Sequence, residues 1–379
     1  MKIGIDASRA FIKERTGIEE YSYQVIKSLV NKLDEHEVIL YMRSGQSAVS
    51  ADCPLPENWK IKVIKWPYFW TQIGLSLEML LHPVDTLFIP AHVVPIIHAK
   101  NTVVTIHGLE YEFCPGAYSF WERLYMRWSI KFSCRFAKKI IAVSENTKKD
   151  LMKLYAVPES KIKVVYEGYE DNFEFRISNF ESNPNFQNSN LKIDSKFKIQ
   201  NSKFLLFIGR LEERKNIIGI IEAFEILREK YKIPHKLILA GKPGYGYEKI
   251  KFEIRNSKFE IRELGYVNET QKWQLLKEAD IFLFPSFYEG FGLPILEAQS
   301  AGVPVVASNN SSVLEIGGTG RDLSVQLVDP NNPQAIAEAT YKLISDETLK
   351  NDIISKGYKN LERFSWEKCG EKIAKVLLG

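Results

Sequence analysis

Short runs of Val, Ile and Leu, separated by longer helical patterns, recur along this chain in two series. The first series holds KIGIDA (Lys2–Ala7), EVILYM, KIKVIKW, DTLFIP, NTVVTIH, KIIAVS and KIKVVYEG. The second holds FLLFIG, KLILAG, ELGYV, DIFLFPS, VPVVAS and SVQLVD. Most of these runs are continuously apolar rather than alternating, as expected for strands buried on both faces of a parallel sheet. Between them lie amphipathic stretches; in 18–30, Ile18, Tyr21, Val25 and Leu29 share one face. The alternation predicts an α/β chain made of two doubly wound parallel-sheet domains. Its 379 residues are too many for one ordinary core.

The two series are joined by a segment of different composition. Residues 178–203 read SNFESNPNFQNSNLKIDSKFKIQNSK, rich in Asn, Ser and Lys. The expected organisation is a first domain over 1–168, a linker with a low-complexity insertion over 169–203, a second domain over 204–355, and a terminal helix within 356–379. That helix, in FSWEKCGEKIAKVLLG, has Ser365 in position to cap it. One repeat is present. KFKIQNSKF (196–204) and KFEIRNSKF (251–259) agree at seven of nine positions, and both copies read as tolerated loop insertions.

Composition excludes several classes. Hydrophobic residues make up 45% and charged residues 26%, so the chain is globular. A net charge of 51 − 47 = +4 is too weak for bulk nucleic-acid binding. No uncharged apolar run is long enough to span a bilayer, and MKIGIDASRA lacks a secretory signal core. Cys53, Cys114, Cys134 and Cys369 form no CxxC pair, and the six His show no metal-ligand spacing. The expectation is a chain of the reduced cytosol with no disulfide framework and no metal site.

Two segments carry chemistry. In FLFPSFYEGFGLPILEAQSAGVPVVAS, a strand runs into a loop with Gly290 and Gly292, and Pro294 opens a helix that Gly302 can end. The amides near Phe291, Gly292 and Leu293 offer an anion site at a helix N-terminus. Glu289 and Glu297 frame it; as carboxylates they suit hydroxyls rather than phosphate. In FLLFIGRLEERKNIIGIIEAF, the strand ends at Gly209 and Arg210, and Lys215 precedes the next helix. Both cations lie at the carboxyl end of a parallel strand, where open α/β sheets bind ligands. The chain contains no Asp-x-Asp, so Arg210, Lys215 and helix amides would supply the positive charge that a diphosphate leaving group needs.

Together GRLEERKN and EGFGLPILE resemble the retaining glycosyltransferases of family 4, which have the GT-B fold. The likeness extends to RTGIEEY, VTIHGLE, IAVSENTKKDL, VVYEGYE, LILAG, LGYV, LVDP and FSWEK, and so spans most of the chain outside 178–203. It implies two Rossmann-like domains facing across a cleft, with the terminal helix returning toward the first. It implies that Arg210 and Lys215 hold the donor diphosphate, with Gly209 at the same strand end. By the same likeness Glu297 binds the nucleotide ribose, and Glu289 contacts the donor sugar near the reacting carbon. Gly290, Phe291, Gly292 and Leu293 then contact phosphate and sugar, Val267 marks the base site, Gly17 faces the phosphates and His107 points at the sugar. Three places depart from the family pattern: Thr16-Gly17 replaces an adjacent glycine pair, Glu167-Gly168 replaces Asn-Gly, and the stretch 317–323 before LVDP is longer than expected.

The resulting expectation is metal-independent, cofactor-free transfer of a hexose, mannose or glucose favoured. The donor is a nucleotide-diphosphate sugar and the acceptor a hydroxyl of a growing surface polysaccharide or lipid-linked sugar. A GT-B nucleotide-sugar epimerase and a non-catalytic nucleotide-sugar-binding protein are the alternatives. A dinucleotide-dependent dehydrogenase would want G-x-G-x-x-G after its first strand, and KIGIDASRA has none. One further stretch, YSFWERLYMRWSIKFSCRFAKK, carries Arg123, Arg127, Lys131 and Arg135 every four residues beside an apolar stripe of Leu124, Trp128, Phe132 and Phe136. Core packing with solvated charges is the commoner outcome for such a helix. The other is contact with an anionic membrane at the inner face of the plasma membrane.

Overall fold

The computed structural model describes residues 1–12, 15, 17–46, 53–169 and 203–379. The insertion expected over 178–203 therefore lies, save for Lys203, outside the described residues. The chain divides into two compact units. One comprises Met1–Glu112, Ser119–Gly168 and Phe364–Gly379; the other comprises Phe113–Tyr118 and the described part of Tyr169–Arg363.

In the first unit the elements are β1 (Lys2–Asp6), α1 (Gly17–Leu29), β2 (Glu37–Arg43), β3 (Trp59–Ile64), a π-helical stretch Trp70–Leu75 that runs into α2 (Ser76–Leu81), and β4 (Thr86–Ile89). There follow β5 (Asn101–Ile106), α3 (Glu110–Phe113), α4 (Phe120–Phe136), β6 (Lys139–Ala142), α5 (Glu145–Tyr155) and β7 (Ile162–Val164). The strands form one parallel sheet in the order β3-β2-β1-β4-β5-β6-β7. Every residue of β4 is buried, as its unbroken apolar run requires, whereas edge strand β3 is largely exposed.

The second unit contains β8 (Phe204–Ile208), α6 (Ile217–Glu229), β9 (Lys236–Ala240), α7 (Tyr247–Asn256), β10 (Ile261–Gly265), α8 (Glu269–Glu278), β11 (Ile281–Phe284) and α9 (Leu293–Ser300). It continues with β12 (Val305–Ser308), α10 (Val313–Ile316), β13 (Gln326–Val328), α11 (Pro333–Ser345) and α12 (Glu347–Leu361). Its six strands are parallel in the order β10-β9-β8-β11-β12-β13. The order reverses direction between β8 and β11, and at such a switch point the loops leaving the two carboxyl ends diverge and open a crevice.

The strand series read from the sequence is thus found in full. Two other expectations change. The second copy of the repeat is no loop insertion: most of it is the end of α7, and Phe259 packs edge-on against Phe224 with the Arg228 guanidinium over its ring. In α4 the expected core stripe is inverted. Ser129, Ile130, Ser133 and Cys134 face inward, while Leu124, Trp128 and Phe136 are exposed.

The chain leaves the second unit later than position 356, because Glu347–Leu361 is one continuous helix of that unit. The final helix, α13 (Trp366–Leu378), belongs to the first unit. Ser365 caps it, and Cys369, Ile373, Ala374 and Leu377 form its buried face. Lys32 pairs with Glu367, and a Cβ on Gly370 would run into Ser28 of α1. At its start, Gly168 lies so close that a Cβ there would sit 2.2 Å from the Trp366 nitrogen. Gly168→Ala must push the α13 start away, at a cost of about 1–3 kcal/mol for overpacking. The thermal unfolding midpoint should fall accordingly; an unchanged midpoint would show that α13 has slack the contact denies.

Candidate functional site

The second unit gathers its charged side chains at the β8/β11 switch point. After β8 the chain passes Gly209, whose carbonyl oxygen would be 1.7 Å from any Cβ on Gly241, so the two strand ends are in backbone contact. A short 3₁₀ turn, Glu213–Lys215, then delivers Lys215 to the interior, where the residue is 9% exposed. Asn216 ends that turn in the left-handed region (φ 58°). Its buried amide donates to the carbonyls of Pro285 (3.1 Å) and Pro330 (2.6 Å). One side chain therefore ties together the loops that follow β8, β11 and β13.

Glu289 comes from the loop after β11 and is 7% exposed. Its backbone N–H donates to Ser311 Oγ at 3.1 Å, and Ser312 Oγ donates to its carbonyl at 2.9 Å. Lys215 Nζ donates to Glu289 Oε1 at 2.6 Å, while Arg214 Nη1 reaches Oε2 at 3.4 Å and the Tyr288 carbonyl at 3.0 Å. The other edge of Arg214 bonds Glu212 Oε1. Arg210 remains outside this core: its side chain is 64% exposed, with Glu212 Oε2 at 3.9 Å. The buried groups, Lys215 and Arg214 with Glu289 and Glu212, balance in charge, and exposed Arg210 adds one positive charge beside them. Burial pulls the Lys215 ammonium below its ordinary pKa, with Glu289 opposing and Arg214 adding to that shift. Burial pushes Glu289 upward, but Lys215 and Arg214 outweigh it and hold the carboxyl below its ordinary value.

The loop then turns into α9. Gly292 sits at φ 123°, in a region that glycine enters freely, and no side chain caps the helix. Pro294 takes the second helical position rather than the first, which still lies among the amides that need no intrahelical partner. Gly302, at φ 69°, follows the helix end. Glu297 points from α9 to Lys272 of α8, whose Nζ bonds it at 2.7 Å and also lies 3.0 Å from Glu269. Burial works against the Lys272 charge, and Glu297 with Glu269 more than offsets it, so the ammonium is held above its ordinary pKa. Val267 lies between β10 and α8, beside the Asn268–Gln271 capping box.

The structure thus joins Lys215 to Glu289, places Gly290, Phe291, Gly292 and Leu293 at the start of α9, and sets Glu297 on that same helix. It does not join Arg210 or Glu297 to the buried cluster. Arg214, Asn216 and Lys272 were missed by sequence reasoning. Arg214 had been indistinguishable from a solvated cation in the run EERK, and the Lys272–Glu297 contact joins positions with no local sequence link.

Two expected residues belong to the first unit. Gly17 opens α1, and a Cβ there would meet nothing within 4 Å. His107 follows β5 and is 8% exposed; its Nε2 lies 2.8 Å from the Pro90 carbonyl and its Nδ1 3.3 Å from Glu167 Oε1. Tyr21 and His92 pack edge-on against its ring. Both ring nitrogens therefore have partners within their own unit.

The family model for glycosyl transferases group 1 matches residues 189–360, and that for glycosyltransferase family 4 matches residues 15–173. O-antigen chain mannosyltransferase B of Escherichia coli is 31% identical over 272 residues, covering 71% of this chain and 68% of its own length. An uncharacterized glycosyltransferase of Methanocaldococcus jannaschii, MJ1607, is 30% identical over 353 residues, covering 86% of this chain and 87% of its own. Among solved structures, Anabaena HepE in complex with UDP and glucose superposes with a TM-score of 0.71 at 18% identity, covering 100% of this chain and 99% of that one, a likeness of fold. With parallel sheets of seven and six strands and these matches along both units, the chain belongs to glycosyltransferase family 4, the group 1 glycosyl transferases of GT-B fold.

Proposed function

We propose that this glycosyltransferase moves a hexose, with retention at the anomeric carbon, from a nucleotide-diphosphate sugar to an acceptor hydroxyl without a metal ion. The observation that carries the reading is the buried Lys215–Glu289–Arg214 cluster, with exposed Arg210 beside it, at the β8/β11 switch point next to the uncapped start of α9. An ammonium has three donors and Lys215 spends one on Glu289, so others remain for phosphate oxygens. As the glycosidic bond breaks, negative charge grows on the departing diphosphate. Lys215, Arg210 and the amides of Gly292 and Leu293 stabilise that charge more in the transition state than in the ground state.

Glu289 has a double part in this scheme. Its carboxylate fixes Lys215 and Arg214, and it also presents an acceptor to the sugar hydroxyls; it is not assigned as a covalent nucleophile. Glu297, oriented by Lys272, receives the ribose hydroxyls, Val267 borders the base, and Gly209 and Gly290 let backbone approach the phosphates. For Gly17 and His107, the phosphate- and sugar-facing parts rest on the family resemblance alone. Mannose is the favoured sugar, with glucose second. The E. coli relative's activity on an O-antigen chain supports mannose and supports an acceptor in surface polysaccharide or glycolipid synthesis. Such an acceptor is presented at the cytoplasmic face of a membrane. No helix among the described residues is long and apolar enough to cross one.

A panel of nucleotide sugars with and without acceptor tests the reading. Transfer should require both, and a donor epimerised without acceptor would replace it. Lys215→Ala should lower turnover by roughly 100-fold, the scale for removing one donor to a developing oxyanion. Because the Lys215 pKa is depressed, activity in kcat/KM should fall on the alkaline side at lower pH than an ordinary lysine would dictate. Bound diphosphate favours the ammonium, so the same limb in kcat should lie higher, and Lys215→Arg should remove it. A limb unmoved by Lys215→Arg would assign it to another group.

Glu297→Ala should raise the donor KM by about 10- to 100-fold, as expected for loss of a charged hydrogen-bond acceptor, with the smaller effect on kcat. Lys272→Ala should shift KM in the same direction by less. An equal loss in kcat would instead place Glu297 at the reacting bond. Activity should survive exhaustive chelation; complete loss restored by a divalent ion would end the metal-independent scheme.

A further inference from the structure

The first unit has a surface that its fold leaves uncovered. Along α4 the polar and small side chains face inward and the aromatic ones outward, the reverse of a surface helix packed on a core. Phe120 is 73% and Trp121 75% exposed, and Leu124, Tyr125 and Trp128 continue the strip. The rings lie against one another: Phe120 meets Trp121, Trp128 stacks on Phe132, and Phe132 meets Phe136. A strip of this kind is larger than the scattered exposed side chains normal for a monomer surface.

A second element extends the strip. The crossovers β3→β4 and β5→β6 step across the sheet in the same direction, so right-handed connections put α2 and α4 on the same side. On α2, Leu80 is 59% and Leu81 68% exposed. The loop between β4 and β5 bridges the two helices: Val94 N–H donates to Ser133 Oγ of α4 at 3.0 Å, and Ile97 N–H donates to Ser76 Oγ of α2 at 3.2 Å. Ile96 in that loop is 55% exposed, and His98 contacts Phe136. The inward-facing serines thus fix both helices with their apolar sides outward.

The charges choose the occupant. Arg123 and Arg127 are tied to Glu112, whose carboxyl is held below its ordinary pKa by Arg127 and Tyr155 against the opposing effect of burial. These two hold α4 to the unit. Lys131 and Arg135 lie among the aromatics, are exposed, and have no ion pair among the described residues. Glu78, the acid of α2, already faces Lys62 and His82. The surface is therefore apolar, rich in Trp, and net basic. Trp rings are favoured at the headgroup level of a bilayer, and free Lys and Arg favour anionic lipid.

We propose that α4, α2 and the loop between β4 and β5 form one docking surface for an anionic phospholipid bilayer, with α4 lying in the plane of the interface. The membrane-side acceptor proposed above gives this surface its use, and the proposal rests on that reading for its purpose. Vesicle binding and donor turnover are measured separately, so either can fail alone.

The test is co-sedimentation of the full chain with vesicles of phosphatidylcholine plus phosphatidylglycerol, and with phosphatidylcholine alone. Binding should be stronger to the anionic vesicles and should weaken with salt. Trp121→Ser with Trp128→Ser, Lys131→Glu with Arg135→Glu, and Leu80→Ser with Leu81→Ser should each lower partition by at least about tenfold. Their turnover on a water-soluble acceptor should stay at the level of the parent chain. Tryptophan quenching by brominated lipid, lost in Trp121→Phe with Trp128→Phe, gives the same answer from fold-preserving variants. Absence of binding to anionic vesicles at low salt, or equal binding by the variants, overturns the proposal. So does a dimer of the free chain that the Trp121 and Trp128 variants dissolve, because the face would then be covered by a second copy.

Discussion

A buried ion pair between two loops, Lys215 with Glu289, is the interaction on which the second unit's site depends. Neither charge is tolerable at that depth without the other, because an ion stripped of water and left unpaired costs several kcal/mol. Each loop is therefore held in place by the demand of its partner. Arg214 extends the constraint by bridging Glu289 to Glu212, and the Phe287 N–H donates to the Arg214 carbonyl, so backbone as well as side chains join the two loops. The arrangement stands at the one place in the sheet where strand order reverses, which keeps it open to a ligand from above.

Burial and this pairing together set the opposed pKa shifts. Burial lowers the Lys215 pKa, with Arg214 adding to it, whereas two adjacent cations outweigh burial at Glu289 and keep its carboxyl easily ionised. On the proposed reading, a bound diphosphate adds negative charge beside Lys215 and so favours its charged form.

Much of this architecture was legible from residues alone. Parallel strands buried on both faces must be unbroken apolar runs, so β4, β11 and β12 announce themselves as DTLFIP, DIFLFPS and VPVVAS. Gly292 and Pro294 mark the start of α9 because few other residues suit those backbone positions. The partners were not legible. Arg214 and Glu289 are 75 positions apart, and Lys272 and Glu297 are 25 apart, and nothing local says which cation will turn inward. Periodicity showed that α4 has an apolar stripe but not which way the stripe faces. The direction was set by Ser129 and Ser133, small enough to lie close against the unit, with Ser133 also bonding the neighbouring loop. In the second repeat copy, likeness to a low-complexity segment concealed an ordinary helix end whose Phe259 is packed.

Asn216 shows what such a site gives up. Its amide grips the Pro285 and Pro330 carbonyls at once, and Gly219 is needed beneath it because a Cβ there would be 2.5 Å from its Oδ1. A single side chain thus ties three loops to one another. On the proposed reading, the charges that meet the substrate arrive already assembled rather than being recruited by it.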